Sequence, residues 1–159
     1  MSNYIGVNTK KVVERKLGGF TLIELMVIIV ILGILVAVIA PRIPGFVEKS
    51  KQSRTKGNLA NLRSALKLYY SDNDGKYPVT ASIAEFLVPR YMKEMPNAEM
   101  PPNHAPSDVI TGDVGLNQIT PADAGGWIYN YNNASNAWGD VMPNCNAHTD
   151  SSGNFWSSY

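Results

Sequence analysis

Hydrophobic and polar positions fall into three regimes along the chain. Phe20 to Ala40 (FTLIELMVIIVILGILVAVIA) is an apolar run of 21 residues in which Thr21 and Glu24 are the only strongly polar side chains. As a helix it would extend about 31 Å at ~1.5 Å per residue, enough to cross a bilayer core. Val and Ile recur, which in water favours a buried strand. A lone span in lipid must satisfy its own backbone, however, so the reading is a membrane helix.

Gly33, Pro41, Pro44 and Gly45 then interrupt the helical pattern. Pro41 cannot donate to the carbonyl of Ala37, nor Pro44 to that of Ala40, so a weak ladder is predicted between roughly Gly33 and Gly45. Beyond it Thr55, Leu59, Leu62, Leu66 and Tyr69 recur at spacings of 4, 3, 4 and 3. This is the stripe of an amphipathic helix packed on a core, with Lys56, Arg63 and Lys67 turned away as a solvated face or as contacts to a neighbouring head. The helix should stop at Ser71-Asp72-Asn73-Asp74-Gly75, where turn residues cluster ahead of Pro78.

The remainder alternates over short stretches. Ser82-Ile83-Ala84-Glu85 reads as a capping box opening a short helix through about Val88. A proline-rich loop is expected from Pro89 to near Pro106. Gly126 to Tyr131 alternates and sets Trp127, Tyr129 and Tyr131 on one strand face, and Ala137–Met142 and Asn154–Tyr159 are further strand candidates. The fold class is therefore α+β. A long amino-terminal helix, apolar and membrane-spanning in its first half and amphipathic in its second, packs on a small antiparallel sheet. The expected segments are 1–19, 20–45, 46–71 and a head over 72–159.

Charge sharpens this division. The 159 residues carry 14 Lys+Arg and 13 Asp+Glu, which gives no bulk electrostatic reason to bind nucleic acid. That near-neutral total hides a net +3 over residues 1–19, +6 over Arg42–Lys67 and −7 over Leu68–Tyr159. A basic stem and an acidic head suggest contact along an axis, stem against neighbouring head. Basic residues flank the apolar run on both sides, so the positive-inside rule leaves its orientation open.

The order of elements departs from a secretory signal, whose small-residue cleavage site follows its apolar region. Here Gly18-Gly19 precedes it. The stretch Lys16-Leu17-Gly18-Gly19-Phe20-Thr21-Leu22-Ile23-Glu24, with Gly33 and Pro41 further on, resembles the processing site of type IV pilins and type II secretion pseudopilins. The resemblance implies cleavage between Gly19 and Phe20 by a prepilin peptidase that also methylates the new amino group of Phe20. It implies that Glu24 neutralises the amino terminus of an adjacent subunit during assembly, with Thr21 in a lesser role. It further implies that the stretch around Gly33, Pro41 and Pro44 can lose helicity in a filament. Tyr77-Pro78 resembles the start of the family's globular domain.

The most similar class is a major type IV pilin, a structural subunit that polymerises into a surface filament. The alternatives are the major pseudopilin of a type II secretion system, and a minor or tip pilin or membrane-anchored binding protein. The first lacks support in that group's aspartate-proline-tryptophan-glycine run or a clear calcium-binding loop, neither of which is found. The implied partners are further copies of the chain, the prepilin peptidase/methyltransferase, an inner-membrane assembly platform and motor, and the membrane itself before assembly. The implied location is the inner membrane as precursor and the cell surface as filament.

Little else in the chain points to chemistry. No nucleophile–base set suggests an enzyme, and no cofactor or metal is expected. Cys145 and His148, with Asp150 after them, make at most half a metal site, and His104 has no partner in sequence. Seven aromatics crowd the last 33 residues, but no basic side chains are interleaved to make a nucleic-acid surface. Asn133-Ala134-Ser135 is a formal glycosylation sequon. With a single cysteine, the chain cannot form the disulfide that closes a carboxy-terminal loop in many pilins.

Overall fold

The computed structural model describes residues 19–159. The chain divides into two units, the first ending at Pro41 and the second covering Arg42–Tyr159.

The described part of the first unit is essentially one helix, α1 (Leu22–Ile39), followed by a 3-10 turn over Ala40–Arg42. No residue of α1 is buried, and its large apolar side chains are exposed along the whole length. The helical interruption is narrower than the sequence predicts. Gly33 lies inside α1 without breaking it. An interior glycine costs helix stability, about 1 kcal/mol, without removing a hydrogen bond. Only the 3-10 turn holding Pro41 departs from α geometry. Pro44 occupies the first turn of the next helix, where an amide has no intrahelical acceptor, and Gly45 follows inside that helix.

The second unit is built on α2 (Ile43–Asp72), whose buried residues Gln52, Thr55, Leu59, Leu62, Ala65 and Leu66 form the expected stripe. This face packs against α3 (Ile83–Leu87), β1 (Ala98–Met100) and β5 (Val141–Pro143). β1 pairs antiparallel with β2 (His104–Ser107) in a two-stranded sheet. A second sheet has the order β3-β4-β5, with β3 (Ile110–Asp113) at an edge and β4 (Trp127–Asn130) in the centre. The core joins the α2 stripe to Ile83, Leu87, Met100, Trp127, Tyr129, Val141, Cys145 and Trp156.

Several local expectations give way to tertiary structure. The β3–β4 pair is parallel, so the second sheet is mixed and not purely antiparallel. The connection 114–126 is about the length that a parallel crossover requires. All four residues of β4 are buried, Ile128 and Asn130 included, because both of its faces are covered. The proline-rich stretch contributes β1 and β2. Residues 137–139 are turn, so the strand expected at Ala137–Met142 is Val141–Pro143. Asn154–Tyr159 forms a single bridge, Thr149 to Phe155, and a 3-10 turn over Trp156–Ser158. Ser82 precedes α3 without a side-chain cap, so the expected capping box does not form there.

Lys67 is exposed, as a solvated face predicts, whereas Arg54, Lys56 and Arg63 reach across to the chain's own head. Lys56 Nζ bonds Asp150 Oδ2 at 2.5 Å and the Tyr159 hydroxyl at 2.6 Å. Arg63 donates to the carbonyls of Val141 and Tyr159. Arg54 pairs with Glu99 at 2.9 Å. Long aliphatic stems carry these charges past the apolar stripe to strands and loops of the chain's own head. Thr55 adds a two-way clamp, its hydroxyl donating to the Glu99 carbonyl at 2.6 Å and accepting from the Glu99 amide at 2.7 Å.

Candidate functional site

The expected processing and assembly residues lie at the start of the described chain. Gly18 lies outside the described residues. Gly19 has open space where a Cβ would stand, and Phe20 is 83 % exposed. Thr21 is extended and caps α1, its hydroxyl accepting from the Glu24 amide at 3.2 Å. Glu24 returns the contact, Oε2 accepting from the Thr21 amide at 2.9 Å and from its hydroxyl at 3.0 Å. This is a complete capping box, which satisfies two free amides and sets a carboxylate in the first helical turn. Sequence reasoning named both residues but not the local bond between them, although their spacing is that of Ser82 and Glu85, where a box was expected. Glu24 Oε1 has no hydrogen-bond partner among the described residues.

Within the head the partners of Cys145 differ from those the sequence suggests. Asp150 belongs to Lys56, Tyr159 and the amides of Ser152 and Asn154. Burial raises the pKa of its carboxyl, but these bonds outweigh that and hold it well below the usual carboxylate range. Cys145 and His148 are joined instead by His104 and Asp123, with donor atoms all within 4.8 Å of one another. Burial, followed by the Asp123 contact, pushes the Cys145 thiol up to about 11. The Cys145 contact and those from the two histidines lower Asp123 against the effect of burial. Sequence spacing hides this set, because only Cys145-x-x-His148 is local.

Residues 15–40 match the family model described as the prokaryotic N-terminal methylation motif. The chain is similar to the type II secretion system core protein G of Aeromonas hydrophila, 41 % identical over 75 residues, 47 % of this chain and 52 % of that protein. It is 36 % identical over 95 residues to the core protein G of Dickeya chrysanthemi, covering 60 % of this chain and 58 % of the relative. To the type IV major pilin protein PilA of Myxococcus xanthus it is 48 % identical over 56 residues, 35 % of this chain and 26 % of the relative. The chain spans about half the length of the core G proteins it matches. No solved structure is significantly similar to it.

The methylation motif and these relatives make the chain similar to the class of type IV pilins and type II secretion pseudopilins. The similarity runs both to secretion core G proteins and to a major pilin.

Proposed function

We propose that this chain is a structural subunit that polymerises into a type IV pilus-like surface filament after cleavage at Gly19/Phe20 and methylation of Phe20. The observation that carries the reading is α1, 18 residues without a buried side chain, lying within the stretch 15–40 that matches the methylation motif. Such a helix needs an apolar surrounding, which lipid supplies before assembly and neighbouring α1 helices supply afterwards.

Glu24 couples the two states. A carboxylate in a membrane span costs on the order of 2.5–3.5 kcal/mol at the bilayer centre and less near the interface. The new amino group of a neighbouring Phe20 would compensate that charge, and Glu24 Oε1 is available to accept from it while Oε2 keeps the cap. The partners are then other copies of the chain, the processing enzyme, the assembly platform and motor, and the membrane. The similarity to core G proteins favours a second reading, in which the same polymer is a secretion pseudopilus.

The test is Glu24→Val in the source cells, with intact mass and amino-terminal sequence determined on sheared and membrane fractions. Wild-type chains beginning at methylated Phe20 should be abundant in the sheared fraction. The variant should be processed and retained in the membrane with sheared filaments lost. Normal sheared yield from the variant removes the assembly role of Glu24. Processed wild-type protein confined to the membrane fraction moves the conclusion to the pseudopilus.

A further inference from the structure

Four side chains of different chemistry meet on one side of the head, apart from the residues assigned above to processing and assembly. His104 begins β2 and Asp123 lies in the loop before β4, while Cys145 and His148 lie beyond β5. His104 Nε2 stands 3.2 Å from Asp123 Oδ1. His148 Nδ1 is 3.3 Å from the same oxygen and 3.5 Å from Cys145 Sγ.

These separations can be compared with the edges of a coordination tetrahedron. With bonds of about 2.0–2.1 Å to nitrogen and oxygen and about 2.3 Å to sulfur, tetrahedral angles put N and O ligands roughly 3.3 Å apart and S and N roughly 3.5 Å apart. Three of the six edges agree with those values to about 0.1 Å, and the other three lie within 4.8 Å. Both histidines reach the same carboxylate oxygen from different elements, and the thiol closes the group from the core side.

The surrounding backbone holds the donors in place. The Asn144 side chain accepts from the Ala122 amide at 2.7 Å and its carbonyl accepts from the Gly125 amide at 2.9 Å, which fixes both sides of Asp123. Asn146 Nδ2 donates to the Pro121 carbonyl. Gly125 has φ +76°, and a Cβ there would come within 3.3 Å of the His104 ring. Cys145 is fully buried, while His104, Asp123 and His148 are partly accessible and leave an entry path.

We propose that His104, Asp123, Cys145 and His148 form a structural site for a divalent transition metal of the zinc type. One thiolate, two imidazoles and one carboxylate suit zinc, whereas calcium and magnesium require oxygen-rich shells. Four protein donors fill a tetrahedron, so the role is structural and not catalytic. The ion would tie the β1–β2 sheet to the loops around the β3-β4-β5 sheet. That is a cross-link in a head whose single cysteine excludes an internal disulfide.

The test uses the full chain in detergent, free of any polyhistidine tag, stripped with a chelator and titrated with cobalt(II). Binding should be equimolar, with intense visible bands of tetrahedral cobalt and a thiolate-to-cobalt charge-transfer band, and zinc should displace the cobalt. Zinc should also raise the thermal midpoint of the head. Cys145→Ser should abolish the charge-transfer band. Should that variant fail to fold, His104→Ala at the accessible rim decides, and it should weaken affinity beyond the roughly 10–100-fold typical of an outer-shell change. Absence of equimolar cobalt binding with a thiolate band overturns the proposal and leaves a metal-free hydrogen-bonded cluster. Wild-type affinity in His104→Ala overturns it equally.

Discussion

α1 and α2 are separated only by a 3-10 turn, yet they use apolar side chains in opposite ways. α1 is almost uniformly apolar, and among the described residues none of its side chains is buried. α2 buries one stripe of six residues and sends Arg54, Lys56 and Arg63 around its flanks to the head. On the proposed function the first helix takes its environment from other molecules, whereas the second is completed within its own fold. A uniformly apolar helix has no preferred face and suits lipid or a many-sided bundle, whereas a stripe commits the helix to one partner surface.

This comparison breaks most readily through two matched leucines. Leu62 is fully buried between α2 and the sheets, whereas Leu32 in α1 is 53 % exposed. Leu62→Ala should destabilise the head by about 3 kcal/mol, the transfer loss plus a cavity. Leu32→Ala should leave unfolding of the head unchanged in detergent. Chemical denaturation followed by tryptophan fluorescence measures both, since Trp127 and Trp156 lie in the core. Equal losses would mean that α1 is also completed within its own chain.

A smaller effect sharpens the comparison at the flank of α2. Folding depresses the Asp150 carboxyl through Lys56, Tyr159 and two backbone amides. The unfolded carboxyl protonates near pH 4 (~3.9), the folded one only at lower pH. The stabilisation is therefore fully present above about pH 5 and is lost as pH falls through the folded pKa. Wild-type stability should fall more steeply between pH 6 and pH 3 than that of Asp150→Asn. At neutral pH Lys56→Met should cost about 2 kcal/mol, less than the 3–5 of a fully buried pair because the Lys56 side chain is 36 % exposed. Parallel pH profiles for wild type and Asp150→Asn would show that the anchor is solvated after all.

Sequence made some of this legible and left the rest hidden, and the dividing line is sequence distance. α1, its polar pair Thr21 and Glu24, and the α2 stripe depend on composition or on neighbours three and four residues apart. β2 (HAPS) contains Pro106, which an edge strand tolerates but which reads as loop. The carboxy-terminal aromatics look like a strand by alternation, but the 3-10 turn buries Trp156 in the core and returns the Tyr159 hydroxyl to Lys56. Lys56 and Asp150 are 94 positions apart, and the four donors His104, Asp123, Cys145 and His148 come from one strand and two separate loops. No periodicity records such contacts, because they exist only once the sheets are packed.

The smallest expected effect separates the two roles open to Glu24. Thr21→Ala removes the hydroxyl that accepts from the Glu24 amide but leaves the Thr21 amide to bond the carboxylate. Loss of such a cap costs about 1 kcal/mol. Amide exchange over Leu22–Leu25 in micelles should therefore speed up by roughly fivefold, with α1 otherwise intact. If Glu24 serves assembly through a neighbouring amine, Thr21→Ala should still yield filaments at near wild-type level while Glu24→Val does not. If Thr21→Ala loses filaments as completely, the intact first turn is what assembly requires, and Glu24 acts through its own helix. The contrast between a helix completed by other copies and one completed within its chain would then not rest on Glu24, and the exposed apolar surface of α1 would have to carry it alone.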